Sequence, residues 1–137
     1  MCDIGCDRIV RERVVPSERC PVVHLPTFTG HRFGEPHKVP GELSCRLQME
    51  GGITSALDLL VLADAMQPTA AGLGVPGWFP TVELTVYVRA VPADGWLIGR
   101  HRTQELIDGW FDEEAELWDS RGRLVCQARQ LAGYRLR

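Results

Sequence analysis

The chain has 137 residues, of which 45% are hydrophobic and 24% are charged, and it carries a formal net charge of -3. That length is enough for one domain with a hydrophobic core and too short for two ordinary domains. The slightly acidic balance argues against nucleic acids and anionic membrane surfaces as partners, and no apolar run approaches the roughly 18 residues of a membrane span.

Residues 1–40 form the first distinct segment. They contain five of the nine prolines and three of the four histidines, and they show no sustained helical or strand period. We therefore predict a proline-rich N-terminal arm or linker over residues 1–40, followed by a single domain over residues 41–137. The first residues lack the basic start and long apolar stretch of a secretory signal, so we expect a cytoplasmic protein.

The five cysteines are an odd number and are scattered along the chain, which favours free thiols in a reducing compartment over a disulfide framework. We expect Cys45 and Cys126, inside strand-like segments, to be small buried hydrophobes. A loose zinc-ligand spacing near the N-terminus lacks the tight C-x2-C turn of structural zinc sites, so we predict no metal site there; the residues concerned are Cys2, Cys6, Cys20 and His24.

A regular pattern begins at residue 41. Apolar side chains alternate over residues 41–50, which predicts a half-buried strand whose inner face carries Leu43, Cys45, Leu47 and Met49. A helix is predicted over residues 56–66, where nearly every side chain is apolar. Either Thr54 or Ser55 can cap this helix, and Asp58, three residues after Ser55, gives a variant of the capping box.

Asp64 is the exceptional residue of the predicted helix. At helical spacing it continues the apolar stripe of Leu57, Leu60 and Val61, which we expect to enter the core. It also lies near the helix C-terminus, just before Pro68, where the helix dipole disfavours negative charge. A carboxylate placed against both tendencies is either exposed after all or retained for chemistry.

Four strands follow a flexible glycine-rich loop at residues 72–77. The first is predicted over residues 81–90, and its inner face carries Val82, Leu84, Val86 and Val88. The others are predicted over residues 96–107, 110–118 and 123–136, and turn sequences precede or separate them. Short connections of this kind predict an antiparallel meander.

The element order β-α-β-β-β-β predicts an α+β protein with the hotdog fold, in which an antiparallel β-sheet wraps around one long apolar helix. One sheet covers only part of a helix that is apolar on almost every side. We therefore expect a second hotdog, from another chain or another domain, to complete the burial of the helix.

Three stretches resemble a known family: LADAMQP at residues 62–68, PTVELTVYVRA at 80–90 and ELWDSRGRLVCQARQ at 116–130. They are similar to the C-terminal half of the double-hotdog acyl-CoA thioesterases, the TesB-like group, and the resemblance covers residues 53–135. In that family a helix Asp, a strand-start Thr and a last-strand Gln position and activate the hydrolytic water. The resemblance thus implies Asp64, Thr81 and Gln130 as the catalytic residues.

These residue types suit thioester hydrolysis. A carboxylate shielded from solvent can accept a proton from water, while a hydroxyl and an amide can hold and direct that water. Gln130 shares a strand face with Cys126 and Ala128, and a buried amide without partners costs about 1–3 kcal/mol, so some polar group should meet it. Strict alternation turns Thr81 away from the inner face, and only a loosened alternation at the strand start lets it face the helix.

Other residues are interpreted without a catalytic role. His101 lies in a strand between two arginines and is interpreted as a surface or edge residue rather than a base. The four tryptophans are expected to be core or interface anchors, and Trp78 and Phe79, beside the loop, are predicted to border an acyl channel as substrate-binding residues. An acidic cluster is interpreted as a solvated face and not a metal site; its members are Asp112, Glu113, Glu114 and Glu116.

The resemblance implies an acyl-CoA thioesterase of fatty acid metabolism, which hydrolyses acyl-CoA to a free acid and coenzyme A without metal or cofactor. Full-length relatives carry a first hotdog, in whose place this chain has only the segment 1–40, so we expect a homodimer or pairing with a second hotdog. The alternative is a non-catalytic hotdog, either an acyl-binding module or a degenerate half-subunit that needs a partner. A hotdog dehydratase is a more distant hypothesis, because no His with an acidic partner stands out on the helix or its preceding loop.

Overall fold

The computed structural model describes residues 22–25, 41–49, 52, 55–75 and 77–134. The helices and strands in these residues are, in chain order, β1 (Val22–Leu25), β2 (Glu42–Met49), α1 (Ala56–Asp64), α2 (Thr69–Gly72), β3 (Thr81–Val88), β4 (Leu97–Arg102), β5 (Leu106–Ile107), β6 (Trp110–Trp118) and β7 (Leu124–Gly133). The predicted order of a strand, a helix and a run of further strands is confirmed, but the predicted four-strand meander is wrong for its first strand, because β3 pairs with β7 and does not lie beside β4. No helix in this part of the chain has the length and apolar character needed to cross a membrane.

All the described strands belong to one sheet, in the order β1-β2-β4-β6-β7-β3, with β5 paired to β6. The first pair, β1 with β2, is parallel, and the other pairs are antiparallel. β1 lies within the segment predicted as an arm. At the opposite edge β3 pairs with β7 alone among the described strands, which leaves one row of β3 backbone groups open to a further strand.

The ends of α1 follow from local chemistry. The Ser55 hydroxyl accepts a hydrogen bond from the Asp58 backbone N–H at 3.4 Å, and the Asp58 carboxylate accepts one from the Ser55 backbone N–H at 2.8 Å. The predicted capping box is therefore confirmed at Ser55, while Thr54 lies outside the described residues. The helix ends at Asp64, two residues earlier than predicted, and Pro68 then precedes the short α2.

Helix α1 packs on the sheet through Leu59, Leu62 and Ala63, all of them buried. The stripe that was predicted to enter the core lies elsewhere: Leu57 is 70% exposed and Val61 is 53% exposed. That prediction is wrong because the helix is apolar on both sides, so the hydrophobic period alone does not choose between them. The sheet contributes the rest of this core, including Cys45 and Cys126, which are buried as predicted.

The other face of the sheet carries ion pairs that link neighbouring strands. They join Arg100 to Glu42, Arg102 to Glu114 and Arg129 to Asp112, with N–O distances of 2.8, 2.6 and 3.1 Å. Partly exposed pairs of this kind contribute little stability individually. They do confirm the predicted solvated face for two members of the acidic cluster.

The long strand predicted over residues 96–107 is interrupted. β4 ends at Arg102, and the Thr103 backbone N–H donates to the Gly41 carbonyl at 2.8 Å instead of continuing the ladder. Pairing then resumes in the two residues of β5. The helix α2 lies between the predicted helix and the predicted loop and was not predicted, since four residues are too few for a helical period to be visible in a sequence.

Candidate functional site

Asp64, the predicted catalytic carboxylate, is the last residue of α1 and is exposed in the single chain. It lies on the same side of the helix as the exposed Leu57 and Val61, as the spacing of three and four residues requires. Its side chain makes no hydrogen bond or ion pair with another residue that the structure describes. The carboxylate therefore faces outward from this chain's own core.

Thr81, the predicted hydroxyl, begins the edge strand β3. Thr81 is paired with Ala132 of β7, whereas Leu84 is paired with Gln130, so three steps along β3 match two steps along β7. This register shift is a β-bulge, in which one extra residue reverses the alternation of side chains. As a result Thr81 shares the face of Leu84 and Gln130, although strict alternation would have turned it away.

Gln130, the predicted carboxamide, lies on the inner face of β7 and is half-buried. Its Nε2 donates to Oε2 of Glu113 at 2.7 Å, and Glu113 stands directly opposite in the β6–β7 register. The expectation that a polar group meets Gln130 is thus confirmed. The amide oxygen, Oε1, accepts no hydrogen bond from the described residues.

Glu113 belongs to a buried polar cluster beneath the sheet. Glu113 is 2% exposed, and its Oε1 accepts the backbone N–H of Thr69, the first residue of α2, at 2.6 Å. His101 is 3% exposed, and its Nδ1 lies 3.5 Å from the same oxygen. The hydroxyls of Thr69 and Thr103, both buried, form a hydrogen bond beside them. A β6 carboxylate therefore connects the last strand to the segment that follows Asp64.

Two interpretations of the sequence are corrected by this cluster. His101 is not a surface or edge residue, and Glu113 does not join the solvated face of its acidic neighbours. Both face inward because alternate residues of a strand point to the same side, and Phe111 and Ala115, the neighbours of Glu113 at that spacing, are buried. That alternation was the signal in the sequence that identifies Glu113 as a core-facing carboxylate.

A pocket of about 600 Å³ opens beside the start of β3. Its walls include Pro80 and Val82, which flank Thr81, and three aromatic side chains, those of Trp78, Trp110 and Tyr134. Trp78 is 81% exposed in the single chain. Phe79, the other predicted substrate-binding residue, is half-buried.

The ring of Phe79 packs edge-on against Phe111, with 5.8 Å between the ring centroids. Phe111 belongs to a second, smaller core cluster, and Phe79 packs against that cluster. Phe79 therefore packs against this core cluster and does not line the pocket, whereas Trp78 is part of the pocket wall.

The described residues include neither a reactive thiol nor a cluster of metal-ligand side chains. Burial raises the pKa of the Cys126 thiol to about 11, which keeps it protonated and unreactive at neutral pH. No group of three or more metal-ligand side chains occurs in the part of the chain that the structure describes. The four residues with a loose zinc-ligand spacing, Cys2, Cys6, Cys20 and His24, have no side chain in the described part of the structure.

The three predicted catalytic residues are thus partly brought together. Thr81 and Gln130 share one face of the adjacent strands β3 and β7, and α1, which ends at Asp64, packs on β3, β6 and β7. No hydrogen bond between described residues joins Asp64 to either of the other two. Glu113, which the sequence reasoning missed, is the direct partner of Gln130.

The model of one protein family, described as the acyl-CoA thioesterase C-terminal domain, matches residues 19–134. Uncharacterised proteins of Mycobacterium bovis and Mycobacterium tuberculosis are 44% identical to the chain over 82 residues. The match covers 60% of this chain and 28% of each relative, so the chain spans less than a third of the length of these proteins.

Solved structures agree with the fold. A crystal structure from Thermobifida fusca YX, named as a candidate thioesterase II, is 38% identical with a TM-score of 0.62, covering 74% of this chain and 40% of that one. A protein of unknown function with a hot dog fold from Alicyclobacillus acidocaldarius is 23% identical with a TM-score of 0.67, covering 78% of this chain and 44% of that one. The second likeness bears on the fold alone, and it confirms the predicted hotdog architecture.

Proposed function

The chain belongs to the acyl-CoA thioesterase C-terminal domain family, and from that membership we propose that it hydrolyses acyl-CoA thioesters with Asp64, Thr81 and Gln130 as its catalytic residues. The observation that carries this proposal is the bulge in β3, which turns Thr81 onto the same face as Gln130. A bulge costs regular pairing, and proteins often use one to re-aim a side chain at a functional site.

The reaction needs one water and no cofactor. The water oxygen bonds to the thioester carbonyl carbon, the carbon–sulfur bond breaks, and the products are a carboxylic acid and the thiol of coenzyme A. Asp64 accepts a proton from the water and passes it to the departing sulfur, while Thr81 and the free amide oxygen of Gln130 hold the water in line.

Asp64 needs a second hotdog to become enclosed. The apolar stripe beside it is exposed, and the adjacent edge strand β3 exposes Val82, Tyr87 and Val88. We propose that two copies pair through β3 and the outer side of α1, which buries the stripe and forms two equivalent clefts around a two-fold axis. Light scattering should give twice the mass of the chain, and a stable monomer would argue strongly against this pairing.

A charge on the stripe tests the surface involved. Val61→Glu should convert the dimer to a folded monomer, because Val61 contributes to no core of its own chain. Ile107→Glu is the matched control, since Ile107 is similarly exposed, at 56%, but lies on β5. If both variants stay dimeric, the pairing surface is elsewhere.

The pocket beside Thr81 is the proposed site of the acyl chain. Its apolar and aromatic walls suit a hydrocarbon tail, and they include Pro80 and Val82, the chain neighbours of Thr81. Trp78→Ala should raise KM for long-chain acyl-CoA more than for acetyl-CoA, while kcat changes little. Equal effects on short and long chains would place the tail somewhere else.

The central test replaces the proposed base. Asp64→Asn should lower the hydrolysis of an acyl-CoA panel by roughly 100-fold or more, because an amide cannot accept the proton of the water. Asp94→Asn, which changes an exposed carboxylate in the loop before β4, is the matched control and should keep wild-type rates. An unchanged rate in Asp64→Asn would remove Asp64 from the mechanism, and a wild-type protein inactive on every chain length would overturn the proposed activity.

A second candidate function is a non-catalytic acyl-binding hotdog, or a half-subunit that is active only beside a different hotdog. The exposure of Asp64 in the single chain favours it, because an exposed carboxylate is a weak base for this chemistry. Its mark would be tight binding of acyl-CoA without turnover. The free thiol of Cys126 suits a reducing compartment, and we propose a cytoplasmic location on that basis. A role in fatty acid metabolism follows from the proposed acyl-CoA substrate.

A further inference from the structure

Glu113 is a buried carboxylate, and each of its two oxygens accepts a hydrogen bond. Oε2 accepts from Nε2 of Gln130 at 2.7 Å, and Oε1 accepts from the backbone N–H of Thr69 at 2.6 Å. An ionised carboxylate only accepts hydrogen bonds, so both donors are matched by this one side chain. Charge-assisted bonds of this length are the stronger class of hydrogen bond in proteins.

The contact determines which way round the Gln130 amide stands. With its nitrogen on Glu113, the amide directs its oxygen away from the carboxylate. The reversed amide would place its oxygen against Oε2, and two acceptors repel. A carboxamide is a donor at one end and an acceptor at the other, so its partner decides which end it offers to the rest of the site.

We propose that Glu113 is a positioning residue that holds the acceptor end of Gln130 toward the hydrolytic water. This inference rests on the proposed thioesterase function. Glu113 itself touches neither water nor substrate and acts through Gln130. It also ties Gln130 to Thr69, so the strand and the segment after Asp64 are held by one buried group.

The variant Glu113→Gln should reverse the polarity of the site. The Thr69 backbone N–H cannot turn, so it keeps the single oxygen of the new amide. The new NH2 group then faces Gln130, which must reverse and present its own NH2 group to the water. A water that has lost its acceptor is poorly directed, and we expect kcat to fall by roughly 100-fold while KM changes by less than about threefold.

Glu114→Gln is the matched control. Glu114 is the next residue of β6, but it points to the outer face and pairs with Arg102. It should retain wild-type kcat and KM. If Glu113→Gln behaves like Glu114→Gln, the positioning role is refuted.

A second substitution separates positioning from a structural role. In the double variant Glu113→Gln with Gln130→Glu, the new carboxylate at position 130 accepts from the new amide at 113 and again offers an oxygen to the water. Its kcat should exceed that of Glu113→Gln alone by roughly tenfold. Recovery of folding without recovery of kcat would contradict the proposal.

A spectroscopic readout keeps the test independent of activity and of the stability of the variant. In 15N-labelled wild-type protein, the side-chain NH2 pair of Gln130, assigned by its disappearance in Gln130→Glu, should exchange slowly with water. The pair of Gln104, which is exposed in the loop between β4 and β5, serves as the reference. If the wild type hydrolyses no acyl-CoA, the proposed thioesterase function fails. The exchange rate of the Gln130 NH2 group then decides by itself whether Glu113 orients Gln130. Rapid exchange of that group would overturn the positioning role as well.

Discussion

Asp119 organises the turn between β6 and β7, and we predict that Asp119→Asn lowers the free energy of unfolding by about 3 kcal/mol. The side chain is buried. Its Oδ1 accepts the backbone N–H groups of Arg121 and Arg123 at 3.0 and 2.9 Å. Its Oδ2 accepts the backbone N–H of Ala93 at 3.1 Å and the Arg123 guanidinium at 2.8 Å.

The magnitude follows from the count of donors. An amide has one oxygen and one NH2 group, so whichever way the substituted side chain turns, one pair of donors meets a donor instead of an acceptor. Hydrogen bonds to charged groups contribute about 1.5–3 kcal/mol each, and two are lost. The Arg123 guanidinium is half-exposed and can bind water instead, so the loss should lie near the lower end of that range, which gives about 3 kcal/mol for the two bonds.

The same substitution changes the pH dependence of stability. Burial alone would raise the pKa of Asp119, but the hydrogen bonds from Arg123, Ala93 and Arg121 outweigh burial and hold the pKa below its ordinary value of 3.8. A carboxyl whose folded pKa is lowered stabilises the protein fully above its unfolded pKa. That stabilisation is lost as the pH falls below 3.8 through the lower folded pKa.

Urea unfolding monitored by tryptophan fluorescence is the assay, with the wild type and Asp119→Asn compared at several values of pH. The difference between them should be largest at neutral pH and should shrink as the pH falls below about 4. Asp112→Asn is the control, because its ion pair with Arg129 is partly exposed and should contribute less than about 1 kcal/mol. A difference at neutral pH no larger than that of the control would refute the reasoning.

Three further substitutions or measurements address the packing. Gly41→Ala should lower the free energy of unfolding by about 3 kcal/mol, since φ is +78° and the new Cβ would lie 2.7 Å from the Thr103 carbonyl oxygen; a loss below about 1 kcal/mol in urea unfolding would contradict this. Gly99→Ala should cost about 1–3 kcal/mol, because its Cβ would lie 2.5 Å from the Met66 sulfur, and thermal unfolding that is unchanged would disprove the clash. Cys126 should resist iodoacetamide at pH 8 in the folded protein and react after unfolding, because burial raises its pKa to about 11; mass spectrometry of the peptide containing Cys126 measures this.

The positions of individual strands along the chain were the most predictable part of the fold, whereas the place of β3 beside β7 was not predicted. β6 has the bounds predicted for it, residues 110–118. Apolar and polar residues alternate there between two turn sequences, and this pattern indicates a half-buried strand and no other element. The helix was less determined. Leu57 and Val61 form one apolar side and Leu59 and Leu62 another, and only the position of the sheet decides which of them is buried.

The candidate site was predictable in its residue types and less so in its geometry. The presence of a partner for Gln130 followed from the cost of burying an amide, but its identity did not, because a charge at position 113 was interpreted as solvated. Alternation with Phe111 and Ala115 would have placed Glu113 inside the sheet. The orientation of Thr81 depended on a bulge, and a bulge adds one residue without leaving a distinctive residue type in the sequence.

The bulge also determines which changes the edge strand can tolerate. Thr81 shares a face with Leu84 and Gln130 because the bulge absorbs one of the two residues between Thr81 and Leu84, and the identity of those residues has little part in it. Exchanging Val82 or Glu83 for another side chain leaves that spacing intact. Deleting either one would remove the extra residue of the bulge and leave Thr81 two residues before Leu84, a spacing that a regular strand also places on one face. Deleting both would make the two residues adjacent and turn the hydroxyl to the far side, so this stretch should tolerate substitution and the loss of one residue but not the loss of two.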